Sequence, residues 1–110
     1  MLSFLNMEQE MELYKFVRND LSVEMGMHID IEEDKIVTGM TGNDKIEEAF
    51  IVRFFPEDAN VEWVEDKIAS KVHKFLYDNG IKNVQRSIVI MRDVWLGRVR
   101  YGIVYTAGDL

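Results

Sequence analysis

The sequence predicts an α+β protein in which two helices pack on one face of an antiparallel sheet. Three observations predict it. Residues 60–80 carry one apolar stripe at helical spacing, a second such stripe opens the chain, and the remaining stretches alternate or run apolar as strands do. The expected order is α-β-β-β-α-β-β, in one domain spanning 1–110. That length supports a single core.

Residues 1–6 read as a lead-in, with Leu2, Phe4 and Leu5 suited to docking. Asn6 with Gln9 three residues on forms a variant capping box, and Glu8 and Glu10 suit the positive end of a helix. Leu13, Phe16, Val17 and Leu21 give that helix its apolar face. Gly26 is the expected stop, with Asn19-Asp20 an earlier alternative. Met27, Ile29 and Ile31 then alternate with His28, Asp30 and Glu32, as a half-wet strand does. Glu33-Asp34 reads as a turn, and residues 35–38 as a second short strand. Residues 39–44 (Gly-Met-Thr-Gly-Asn-Asp) read as a loop. Residues 46–55 are the most apolar strand candidate and are expected at the centre of the sheet, until Pro56 takes the chain out.

The main helix follows. Asn60 can cap it, and Val61, Val64, Ile68, Val72, Phe75 and Leu76 form its stripe. Gly80 can end it with Ile81 folding back. Ile68, Val72 and Phe75 are expected against Ile51, Ile88 and Ile103. Residues 84–91 and 98–106 read as the last two strands. In the second of these Val99, Tyr101, Ile103 and Tyr105 face one way, while Arg98, Arg100, Gly102 and Val104 face the other. The link 92–97 is expected to be a five- or six-residue hairpin loop.

Composition excludes several functions. The chain is 47% hydrophobic and 30% charged, as folded soluble domains are, and it has no cysteine, so disulfides and thiolate metal sites are out. No apolar run is long enough to span a membrane. The start lacks a basic region followed by a sustained apolar one, so a cytoplasmic setting is expected. The net charge of −7 is uneven: residues 1–79 hold 18 acids and 8 bases, while residues 80–110 hold five bases and two acids. An acidic chain repels nucleic acid and anionic membrane at long range, so neither is an expected partner. The polarity reads either as scattered surface charge or as two unlike surfaces that meet between copies.

No residue set spells out a reaction. His28 and His73 read as surface residues, and neither has the spacing of a metal ligand pair. Asp30, Glu32, Glu33 and Asp34 read as an acidic hairpin tip. A hard cation held there is the alternative. The glycines at 39 and 42 lack the Lys and Ser/Thr of a phosphate loop, and no serine has a nucleophile-elbow context. No catalytic residue, cofactor or metal is therefore expected.

The segment around the last hairpin is the candidate interface: Arg92, Trp95, Leu96, Arg98 and Arg100. A Trp and a Leu between arginines have the composition of a binding hot spot. Three readings stand side by side. Trp95 and Leu96 close over the helix layer as core, they form a protein interface, or the rings stack single-stranded nucleic acid.

The element order resembles the tail-terminator, neck or minor capsid proteins of tailed phages and prophages. The residues that carry the likeness are the N-terminal helix (7–25), the strand Phe-Ile-Val-Arg-Phe-Phe at 50–55 leading through a short acidic loop to a helix, and Gly97-Arg98 before an aromatic-alternating last strand. The resemblance implies a non-enzymatic subunit that forms a ring with copies of itself and contacts other structural proteins, with no catalytic residues to carry over. A small acidic dimeric chaperone for a secreted effector shares the size and acidity. A small enzyme or ligand-binding domain with its pocket between sheet and helices is the third class.

Overall fold

Asn6 starts the first helix with a reciprocal cap. Its side chain accepts the Gln9 N–H at 2.8 Å, and its own N–H donates to Gln9 Oε1 at 3.0 Å. The computed structural model describes residues 2–38, 45–57 and 59–108. Helix α1 runs through three contiguous segments, Met7–Lys15, a wider π turn at Phe16–Leu21, and Ser22–Met25, and it stops at Gly26 in the left-handed region, φ 64°. Steps of four residues drift around a regular α-helix. The wider turn offsets that drift, so Leu13, Val17 and Leu21 stay on one fully buried line.

Among the described residues four strands make one antiparallel sheet: β1 (Ile29–Thr38), β2 (Lys45–Phe54), β3 (Val84–Trp95) and β4 (Arg98–Ala107), in the spatial order β1-β2-β4-β3. Helix α2 (Val61–Asp78) crosses from central β2 to edge strand β3. Asn60 caps it by accepting the Trp63 N–H at 2.9 Å. At its far end Gly80 takes φ 69°, and the Ile81 N–H returns to the Leu76 carbonyl at 2.9 Å, burying Ile81.

Both helices cover one face of the sheet. Leu13, Val17 and Leu21 of α1 and Val64, Ile68, Val72 and Leu76 of α2 share a core with Ile29, Ile31, Phe50, Val52, Phe54, Ile103 and Tyr105. The opposite face holds a smaller buried cluster of Ala49, Ile51 and Val104.

Four expectations change. Three strands before α2 become two, because residues 29–38 form one unbroken strand with ten partners on β2. Glu33 pairs with Phe50 and Asp34 with Ala49, and ladder continuity overrides the turn preference of an acidic dipeptide. The hairpin loop shrinks to Leu96-Gly97, and residues 92–95 are strand. Ile88 is fully exposed at an irregularity between Arg86 and Ile90, and Ile51 lies on the other face, so neither meets α2. Phe75 is only partly buried at the margin of the core, where it stacks on Phe16 of α1 at 4.5 Å. The loop expected at 39–44 lies outside the described residues.

Candidate functional site: the β3–β4 arm

The register makes an arm. Pairing of β2 with β4 ends at Phe54 and Tyr101, whereas β3 and β4 stay paired through Asp93–Arg100, Val94–Val99 and Trp95–Arg98. These last pairs form a two-stranded ribbon beyond β2. The ribbon closes through Leu96 (φ 51°) and Gly97 (φ 76°), the all-positive pattern of a type I′ turn.

Charge and aromatic contacts brace the ribbon. On the face away from the helices, Arg100 donates two hydrogen bonds to Asp93, at 2.9 and 2.7 Å, and its guanidinium lies 4.7 Å from the Trp95 ring. Arg100 holds the Asp93 carboxyl below its usual range. Behind them the buried Arg53 donates to Glu32 at 2.7 Å and places Nη1 3.7 Å from Asp93. Room for Arg53 comes from Gly102, where a Cβ would stand 2.6 Å from Ile51 Cγ2 and 3.1 Å from Arg53 Nη1. Arg98 lies 4.4 Å from the Phe55 ring and ion-pairs with Glu57. On the helix side, Arg92 lies 5.9 Å from the Tyr101 ring. Beside it, Pro56, Val61, Val99 and Tyr101 help to line an open cleft of about 370 Å³.

The tip itself is wet. Leu96 is 85% exposed, Val94 70%, Trp95 49% and Val99 40%. Trp95 and Leu96 therefore do not close over the helix layer. The structure brings all five candidate residues into the arm and its base. It also gives three of the arginines work within the chain, since Arg98 and Arg100 have carboxylate partners and Arg92 rests on Tyr101.

The other singled-out residues stand elsewhere. The acidic run lies within β1 rather than at a hairpin tip. Asp30 pairs with Arg18 at 2.7 Å, Glu32 pairs with Arg53, and the Asp34 side chain accepts the Lys35 N–H at 2.7 Å. Glu33 meets Tyr14 at 3.1 Å. The same hydroxyl is 3.3 Å from Glu10, whose carboxyl burial pushes up in pKa. Glu10 also accepts the Leu2 N–H at 3.2 Å, which docks the lead-in, and reading from spacing alone missed this buried acid. His28 sits near Phe55, while His73 sets its ring edge-on to Tyr105; burial, then Arg86, hold the His73 pKa down. Among the described residues no group of three or more His, Cys, Asp or Glu side chains could hold a metal ion, and no helix is long and apolar enough to cross a membrane.

Comparison of the chain with protein-family models, with curated proteins and with solved structures gives no match.

Proposed function

We propose that the protein is a non-enzymatic assembly subunit that self-associates through the tip of the β3–β4 arm and joins other structural proteins, as the resemblance to phage tail-terminator subunits implies. The observation that carries this reading is Leu96. The first turn position of a type I′ hairpin favours Asn, Asp or Gly, because φ is positive there. A leucine in the left-handed region costs roughly 1 kcal/mol or more. Leu96 accepts that cost while leaving 85% of its surface in water. A strained, exposed apolar residue beside Trp95, on a ribbon stiffened by Arg100 and Asp93, is suited to burial against another molecule. Trp95 supplies the anchor, and the arginines hold the ribbon in shape.

Sedimentation velocity over a range of protein concentrations and at two salt levels tests the proposal. Concentration-dependent growth in size is expected, weakened more by Trp95→Ala than by Arg98→Glu. A ring, a dimer and a monomer separate by mass in the same run. A monomer throughout the micromolar range would remove self-association.

A further inference from the structure

The two edges of the sheet are finished differently. On β1 the outward backbone groups of Ile29 and Ile31, and the Lys35 amide, are taken. The Ile29 N–H donates to Ser22 Oγ at 3.1 Å, and that hydroxyl donates back to the Ile29 carbonyl at 2.9 Å. Arg18 donates to the Ile31 carbonyl at 3.0 Å. The amides of Ile31 and Lys35 are each covered at 2.7 Å by the preceding aspartate, Asp30 and Asp34. Helix α1 and two aspartates thus blunt this edge against a further strand.

Edge strand β3 has no such cover over its last half. The two-residue turn pairs Trp95 with Arg98, so Trp95, Asp93 and Met91 direct their backbone groups toward β4. The alternate residues, Ile90, Arg92 and Val94, direct theirs outward. Among the described residues no side chain bonds these groups. Arg92 differs from every other arginine in the chain as well. Arg18, Arg53, Arg86, Arg98 and Arg100 each have a carboxylate partner, and Arg92 has none among the described residues.

We propose that the outer edge of β3, residues 90–94, is a strand-addition site for an extended segment of another protein that carries an acidic residue between two apolar ones, in the alternation apolar-x-acid-x-apolar. The backbone of that segment completes the outward groups of Ile90, Arg92 and Val94. Its acidic side chain stands opposite Arg92, and its apolar side chains stand opposite Ile90 and Val94, on the helix side where the cleft lined by Val61, Val99 and Tyr101 begins. A second copy fits the edge poorly. Its own β3 offers no acid on the face of Arg92, and on its β1 edge the first helix covers Ile29 and Ile31 and holds Glu33, the acid on the helix side, through Tyr14. The site adjoins the tip at Val94, but it takes a different occupant and does not depend on self-association there.

The test uses the full chain at a concentration where it is monomeric. The probes are the acetylated, amidated peptide Thr-Val-Thr-Glu-Thr-Val-Thr and its analogue with Lys in place of Glu, read by amide hydrogen exchange and by fluorescence anisotropy of labelled peptide. Slowed exchange at Arg92 and Val94 on addition of the Glu peptide is expected, with the Lys peptide bound about threefold to fivefold more weakly. Arg92→Glu should reverse that preference, and Val94→Pro, checked for folding by circular dichroism, should abolish binding. Absence of binding, protection on β1 instead of β3, or an unreversed preference in Arg92→Glu would overturn the proposal. So would protection of the Ile90 and Arg92 amides, which lie back from the tip, that rises with protein concentration in the absence of peptide, since a second copy would then own the edge.

Discussion

Replacing Leu96 by Asn should move folding stability and self-association in opposite directions. Leu96 holds φ 51° at the first central position of the hairpin, ahead of Gly97 at φ 76°. The left-handed conformation costs a leucine roughly 1–2 kcal/mol, and Asn-Gly is the sequence that such a turn favours. The loss on substitution is small. Full burial of a leucine contributes about 1.5–3 kcal/mol, and Leu96 is 85% exposed, so its remaining contacts supply on the order of 0.3 kcal/mol. The variant should therefore unfold with about 0.5–1 kcal/mol more stability in urea, followed by far-ultraviolet circular dichroism at submicromolar protein. Its self-association, followed by sedimentation at tens of micromolar, should weaken. A destabilised variant would mean that Leu96 packs within its own chain. A more stable variant that associates as well as the parent would mean that the leucine serves no contact.

Other perturbations test the frame that holds the arm. Gly102→Ala places a methyl 2.6 Å from Ile51 Cγ2 and against Arg53, and should cost roughly 1–3 kcal/mol in chemical denaturation; a neutral result would mean that Arg53 moves aside freely. Asp93, hydrogen-bonded to Arg100, has a folded-state pKa below its ordinary value of 3.8, so it stabilises the fold above that value and the contribution is lost as pH falls through the depressed one. Urea midpoints between pH 5 and pH 2 should accordingly fall less steeply in Asp93→Asn, and an unchanged slope would contradict the Arg100 contact. Ile68→Ala, at a fully buried site, should cost roughly 2–5 kcal/mol, while Phe75→Ala, partly buried against Phe16, should fall near or below the lower end of the roughly 3–5 kcal/mol seen for buried phenylalanines. A clearly larger loss at Phe75 would place the helix–helix stack above the helix–sheet core.

Local chemistry explains what could be read from the chain. Asn6 with Gln9, Asn60, Gly26 and Gly80 mark helix ends through contacts within a few residues, and each sits where it was expected. The alternation of residues 98–106 likewise assigned both faces of β4. What escaped depends on distant partners. Glu33-Asp34 continues a strand only because β2 lies alongside it, and the covering of the β1 edge needs Arg18 and Ser22 from another element. The π turn in α1 has no periodic signature. The candidate interface was legible as composition, a Trp and a Leu among arginines. The duties of Arg98 and Arg100 toward Glu57 and Asp93 were not, since a list of charges does not say which are already paired. Gly102 was a readable signal, because a glycine inside an alternating strand marks a place where another group comes close.

The central claim, that the arm's tip is buried between molecules, can be read at the tip directly. The chain has no cysteine, so Val99→Cys, exposed on the arm beside the turn and leaving Trp95 and Leu96 in place, gives a single attachment point for a nitroxide label, and Lys82→Cys, exposed near the start of β3, gives a control. Electron paramagnetic resonance spectra are then taken across the concentration range in which sedimentation detects assembly. A label at position 99 that is mobile in dilute protein and becomes immobilised as the assembly forms, while the label at position 82 does not, is the predicted result. An assembly that forms while the label at position 99 stays mobile would contradict the claim.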